Sequence, residues 1–214
     1  MPRPCSRAEL IADATVHLLG LAFAFGAVAT LVVFLWISPD LPRGISLGLY
    51  AFGLIAMLGC SALYHMTHHS KQRLKALFRR FDHAAIFVMI AGTNTPFSLM
   101  VIGGGWGWAL LGFVWTIALV GVMMKLLFPL RFEKLSVAVY LLLGWTVLFA
   151  LQPLVSSASL AGLVLLITGG GLYSLGVLFH LWERLPYQNA IWHVFVLAAA
   201  ACHFTAILLD VAIV

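Results

Sequence analysis

The chain has 214 residues, of which 63% are hydrophobic and only 9% are charged. Soluble domains carry about 25% charged residues, so this chain has too little polar surface for a water-soluble globule. Its three cysteines include no C-x-x-C pair, which argues against a disulfide framework or a cysteine-rich metal site. This composition excludes a soluble enzyme, a DNA-binding protein and a secreted disulfide scaffold, and it indicates an integral membrane protein.

Seven apolar runs follow one another along the chain, each ended by proline, glycine or charge. A helix needs about 20 apolar residues to cross the hydrocarbon core, and an isolated strand cannot satisfy its backbone in lipid. We therefore predict an all-α membrane protein with seven transmembrane helices in one domain, residues 1–214. The predicted spans are residues 14–37, 44–65, 82–102, 106–125, 135–152, 160–181 and 190–214.

The basic residues predict the orientation of these helices. Of the twelve lysines and arginines, eleven lie before the first span or in and next to the second, fourth and sixth connections, which share one side of the membrane. Arg43 alone lies on the other side. Since cytoplasmic segments carry the excess of Lys and Arg, the N-terminus is expected in the cytoplasm and the C-terminus outside. The net charge of +5 therefore reflects topology and not a nucleic-acid partner. The basic segment 70–80 is either a short interfacial helix or a solvated loop.

Ionisable side chains within membrane spans are costly and usually mark function. His65 ends the second span, and Ser61 lies one helical turn earlier on the same face. Asp82 begins the third span, and His193 lies in the first turn of the seventh. These four residues are far apart in the sequence, yet all are expected at the cytoplasmic side of the membrane.

The residue types at this depth are those of a zinc site. A catalytic zinc takes three protein ligands plus a water molecule, and imidazole nitrogens are common ligands. His65, His193 and Asp82 supply most of such a set, and the carboxylate can also orient or deprotonate the water. Ser61 is placed to hydrogen-bond that water or a developing oxyanion. We predict Zn²⁺ as cofactor, these three residues as ligands, and Ser61 and Asp82 as catalytic residues.

Several spaced motifs support a resemblance over nearly the whole chain. In order they are SALYH ending at His65, FDHAAIF containing Asp82, AGTNTP, GGLYSLG, IWHVFV containing His193, and CHF. They resemble the hemolysin III proteins of bacteria, relatives of the adiponectin and progestin receptors in the PAQR superfamily, which is similar to the alkaline ceramidases. The resemblance implies zinc near the cytoplasmic side, with His65 and His193 as ligands, Asp82 acting directly or through water, and Ser61 in a supporting role.

Two positions depart from the family's pattern. The seventh span of the family usually begins with His-x-x-x-His, but here the first of these positions is Asn189, whose amide oxygen is a poor zinc ligand. The family's opening motif Glu-x-x-x-Asn-x-x-x-His becomes Glu9-x-x-x-Asp13-x-x-x-His17 in this chain. Asp13 is either a replacement acid or a polar contact. His17 and His180 are the candidates to complete the metal site.

Three functions are compatible with these residues. The favoured one is a metal-dependent hydrolase of a lipid amide or ester in the bacterial cytoplasmic (inner) membrane, with a membrane lipid as substrate. The second is a sensor of membrane lipids or energetics that uses the same scaffold without turnover. The third is a pore-forming cytolysin, which the strong topological charge bias and the buried histidines disfavour.

Overall fold

Seven long helices make up the described part of the chain, which in this computed structural model comprises residues 6–68, 70–128 and 131–213. Within those ranges there is no strand, and all seven helices are long and apolar enough to cross a membrane, which confirms the predicted fold class. Arg3, one of the twelve basic residues, and Val214, the last residue of the predicted seventh span, lie outside the described residues. The helices are α1 (Arg7–Ile37), α2 (Leu41–Met66), α3 (Gln72–Ile102), α4 (Gly104–Leu127), α5 (Glu133–Ser157), α6 (Leu160–Leu181) and α7 (Gln188–Ala212).

Two helices begin well before the apolar runs that predicted them. Helix α1 begins at Arg7 because Ser6 and Glu9 form a capping box: the Ser6 hydroxyl accepts from the Glu9 N–H at 3.2 Å, and the Glu9 carboxylate accepts from the Ser6 N–H at 2.7 Å. Helix α3 begins at Gln72, so most of the basic segment 70–80 is helical and continuous with the span. Hydropathy marks where a helix enters hydrocarbon, whereas capping decides where it begins.

Helix α3 is the most buried of the seven and packs between α2 and α4. Its contact with α2 is close because glycines lie at the crossing. A Cβ atom at Gly92 would lie 2.8 Å from the carbonyl oxygen of Leu49, and one at Gly53 would lie 3.0 Å from the Cα of Met89. Small residues allow helix backbones to approach in this way. The close packing fixes the end of α2 relative to the first turns of α3.

Helix α4 returns along α3 after a tight reversal. Gly103 and Gly104 adopt left-handed φ angles of 61° and 53°, which glycine accepts without a steric penalty. The two helices then remain in contact, and the ring of Phe87 occupies the position that a Cβ atom at Gly121 would need. The last turn of α4 therefore lies beside the first turns of α3.

Helix α1 contacts both α2 and α7. The start of α1, the end of α2 and the start of α7 therefore meet at one end of the bundle. This is the end that the charge distribution assigns to the cytoplasm.

We predict that a cysteine at position 70 is shielded from outside the cell and that one at position 38 is not. Both serines are exposed, in connections at opposite ends of the bundle. In a background with all native cysteines replaced by alanine, a membrane-impermeant maleimide should label Ser38→Cys in intact spheroplasts and label Ser70→Cys only after lysis. External labelling of Ser70→Cys in intact spheroplasts would contradict the predicted orientation.

Candidate metal centre

Three imidazoles and one carboxylate meet where α1, α2 and α7 converge. They belong to Asp13 and His17 of α1, His65 of α2 and His193 of α7, and one ligand atom from each lies within 4.8 Å of all the others. The three rings contact one another, with centroids 4.3–4.9 Å apart. Asp13, His17 and His193 are each no more than 9% exposed. This group is a candidate metal centre.

Helix α1 supplies two members because Asp13 and His17 are four residues apart and share one helix face. The Nδ1–H of His17 donates to the backbone carbonyl oxygen of Asp13 at 2.7 Å. Because a carbonyl oxygen can only accept, the ring proton is on Nδ1 and the lone pair is on Nε2. The backbone of α1 thus selects the tautomer of His17 in which Nε2 can bind a metal.

The Asp13 carboxylate joins the other two histidines. Its Oδ2 accepts from His65 Nδ1 at 3.1 Å, and its Oδ1 accepts from His193 Nδ1 at 3.1 Å. Carboxylates that accept from the outer nitrogen of a metal-binding histidine orient the ring and increase its basicity. Asp13 therefore leaves the Nε2 lone pairs of both rings available, and it connects α1 to α2 and α7.

The arrangement of hydrogen-bond donors fits a bound cation. The Oγ of Ser61 lies 3.2 Å from His17 Nε2 and 3.3 Å from His193 Nε2. Both nitrogens are acceptors in the tautomers that Asp13 selects, and a single hydroxyl proton can serve only one of them. Imidazole lone pairs that face a shared space with one donor are a suitable ligand set for a divalent transition metal. The residues present therefore fit the metal that the family resemblance implies.

The predicted histidines have different positions relative to this cluster. His65 and His193 belong to it, and so does His17, one of the two candidates to complete the site. The other candidate, His180, is not a member; its ring packs against Trp192 with centroids 5.1 Å apart. The third imidazole is therefore provided by α1, next to Asp13.

Asp82 and Asn189 line the cavity beside the cluster but are not members of it. Asp82 is 9% exposed, and its carboxylate faces the Ser61 hydroxyl and interacts electrostatically with His193. This position suits action through a water molecule, and direct ligation by Asp82 stays a prediction. Asn189 lies one turn before His193 and is half-buried.

The full role of the opening motif was not evident from the sequence. Glu9, Asp13 and His17 follow one another at intervals of four residues, so all three lie on one face of α1. Beyond its part in the cap, Glu9 accepts from the backbone N–H of Tyr187 at 2.8 Å through Oε1. Because Tyr187 immediately precedes α7, this bond holds the start of α7 against α1. The four-residue spacing of these side chains could be read from the sequence. Their hydrogen-bond partners are evident only from the structure.

A cavity of about 570 Å³ extends from the metal centre between the helices. Near the centre it is lined by His17, Ser61 and Asp82, and farther away mostly by apolar side chains of α5, α6 and α7. Pockets of this size accommodate small-molecule ligands. The polar groups at one end and the apolar walls beyond them suit an amphipathic ligand.

The fold and the site define a class: a seven-helix membrane protein with a buried cluster of three histidines and one aspartate. The profile of the family described as Haemolysin-III related matches residues 9–204, and the chain belongs to this family. The family resemblance seen in the sequence motifs is thereby confirmed.

Relatives cover most of the chain. It is 38% identical over 200 residues to Hemolysin-3 of Bacillus cereus, covering 94% of this chain and 90% of the relative. The Hemolysin-3 homolog of Bacillus subtilis (strain 168) is also 38% identical over 200 residues, with 94% and 93% covered. The human monocyte to macrophage differentiation factor is 29% identical over 175 residues, with 80% and 72% covered. The last of these fits the wider superfamily that the sequence resembles.

We predict that metal content depends on the three clustered histidines. Removal of one of three imidazole ligands should abolish most of the binding, so His17→Ala, His65→Ala and His193→Ala should each retain little metal. His68→Ala is the control, because His68 bonds to Ser70 outside the cluster. Elemental analysis of the purified proteins measures this. Equal metal content in His17→Ala and His68→Ala would exclude His17 as a ligand.

We predict that Asp13 controls metal affinity without being essential for folding. Loss of a carboxylate that orients metal-binding histidines typically weakens binding by about 10–100-fold, and we expect this for Asp13→Ala. Asp13→Asn should restore part of the affinity, because the amide oxygen can still accept from a ring N–H. Competition with a chelator of known affinity gives the dissociation constants. Equal constants for wild type and Asp13→Ala would show that the two hydrogen bonds do not support metal binding.

Proposed function

We propose that this protein is a zinc-dependent hydrolase of a lipid amide or ester in the bacterial cytoplasmic membrane, with its metal centre on the cytoplasmic side. The observation that carries the proposal is the three-imidazole cluster, with Ser61 and Asp82 beside it, at one end of a cavity with apolar walls. Zinc held by His17, His65 and His193 would polarise a carbonyl group and lower the pKa of a water molecule to about 7.

Asp82 is the group best placed for proton transfer. Hydrolysis adds the oxygen of water to the acyl carbon, breaks the C–N or C–O bond, and requires one proton to move from the water to the departing atom. The Asp82 carboxylate is buried and next to the Ser61 hydroxyl, so it can accept that proton and then return it. The carboxylate is regenerated, and no other reactant is required.

Ser61 is the group best placed to stabilise charge on the carbonyl oxygen. Its Oγ lies within 3.3 Å of two imidazole nitrogens, so the hydroxyl faces the space where the histidines converge. A hydroxyl that donates to an oxyanion is worth more in a site that excludes water. In this proposal Ser61 is a hydrogen-bond donor, and the cleavage needs no covalent serine intermediate.

The cavity supports a lipid as substrate. Its walls beyond the metal centre are apolar, so an acyl chain is the matching ligand, and the carbonyl group at the head of such a chain can reach the polar end. The amide or ester bond of a lipid is the reactive group in this position. The cavity lies between helices that are long and apolar enough to cross a membrane, which supports a lipid as its ligand.

A non-catalytic lipid sensor is the second candidate. Asn189 favours it, because the family's usual histidine is missing there and the metal site is built differently. A sensor would bind metal and lipid through the same residues and release no product. Detection of fatty acid released from a bound lipid separates the two functions.

We predict that the zinc-loaded protein releases fatty acid from a lipid amide or ester. Mass spectrometry should detect the acid after incubation with a panel of synthetic lipids, with kcat reduced about 10²–10³-fold by Ser61→Ala and about 10²–10⁴-fold by Asp82→Asn. Ser98→Ala is the matched control, since Ser98 is a buried serine at the opposite end of α3, outside the cavity lining. Bound zinc and lipid without released acid would favour the sensor.

A further inference from the structure

Lys125 is the only lysine or arginine among the described residues that is buried. It is 2% exposed, whereas every other described lysine and arginine is exposed or half-buried. The positive-inside rule accounts for basic residues at a membrane surface and does not require one to be enclosed. Enclosing an ammonium group is unfavourable unless an anion or several hydrogen bonds compensate it.

The neighbours of Lys125 do not provide that compensation directly. Its side chain makes no hydrogen bond or salt bridge to any residue in the described ranges. Glu133 is the acidic residue that interacts with it electrostatically, but the Glu133 carboxylate is paired with the guanidinium of Arg79. The charge of Lys125 is therefore available to another anion.

Lys125 lines the same cavity as the metal centre, although it is not a member of the cluster. Helix α3 lies between α2, which carries His65, and α4, which carries Lys125. Consecutive residues on α3 point about 100° apart. Asp82 accordingly faces Ser61, while His83 lines the cavity and interacts electrostatically with Lys125 and, to a smaller extent, with Arg79, His180 and His65.

We propose that Lys125 and His83 bind the phosphate group of an anionic membrane lipid whose acyl chain occupies the cavity. A lysine ammonium is a common phosphate ligand, and an imidazole N–H can donate a second hydrogen bond. The proposal rests on the proposed function and narrows it: the substrate is a phosphate-bearing lipid, with its headgroup on the α4 side and its scissile carbonyl group near the metal centre. Inorganic phosphate shares the same binding chemistry.

Binding of short-chain lipids to the purified, metal-loaded protein tests this assignment. The probes are dioctanoyl phosphatidic acid, dioctanoylglycerol, which has the same chains and no phosphate, and inorganic phosphate. We expect phosphatidic acid to bind about 10–100-fold tighter than dioctanoylglycerol, and Lys125→Met to remove most of that difference. Lys125→Arg should retain the difference in affinity between the two lipids, because the positive charge at this position is kept.

Lys71→Met is the matched control, because Lys71 is an exposed lysine at the same end of the bundle and does not line the cavity. It should leave the affinity for phosphatidic acid unchanged. Equal losses in Lys125→Met and Lys71→Met, or equal affinity for the two lipids in wild type, would overturn the proposal. Inorganic phosphate that binds as tightly as phosphatidic acid and depends on Lys125 would overturn the lipid assignment and identify a free anion.

The experiment is independent of turnover. The same binding measured on His65→Ala should still depend on Lys125, because Lys125 belongs to α4 and is not a member of the metal-centre cluster. A protein that hydrolyses no lipid but shows this dependence would contradict the proposed function and support the subsite. A protein that hydrolyses lipids without this dependence would support the proposed function and contradict the phosphate subsite.

Discussion

The buried carboxylate of Asp13 is the contact on which the site depends. It accepts one hydrogen bond from a histidine of α2 and one from a histidine of α7, both at 3.1 Å, while its own backbone carbonyl orients His17. A buried carboxylate must be compensated by hydrogen bonds, so these contacts hold three helix ends together as well as select the histidine tautomers. The packing of three helix ends and the arrangement of the three histidines are therefore coupled at one residue. The capping glutamate Glu9, which also holds the start of α7, reinforces the same junction.

Helix α3 organises the rest of the molecule around this junction. It is packed through glycine contacts against α2, and it also contacts α4, which carries the enclosed Lys125. Two adjacent residues near the start of this helix, Asp82 and His83, both line the cavity. One cavity with apolar walls connects both polar regions. A ligand with a carbonyl group, an anionic headgroup and an acyl chain matches this distribution of polar and apolar surface.

Much of the fold could be predicted because lipid restricts the alternatives. Apolar runs of sufficient length must be helices in a bilayer, so hydropathy identified all seven. The helix starts were less predictable, since capping by Ser6 and Glu9 acts outside the hydrocarbon and has no hydropathy signal. At the site, His65 and His193 were expected to lie together because both are at the predicted cytoplasmic end of their spans, and both belong to the cluster. The contribution of Asp13 was not, because depth says nothing about which face of α1 meets which neighbour.

The sequence by itself determined the membrane class, the number of helices and the family. These follow from composition, length and spacing, which are properties of single helices. The tertiary structure decided that His17 completes the cluster, that His180 packs elsewhere against Trp192, and that Lys125 is enclosed. Each of these depends on how a helix is rotated about its axis and which helix it contacts. Packing between helices sets that rotation, so no single segment of sequence contains it.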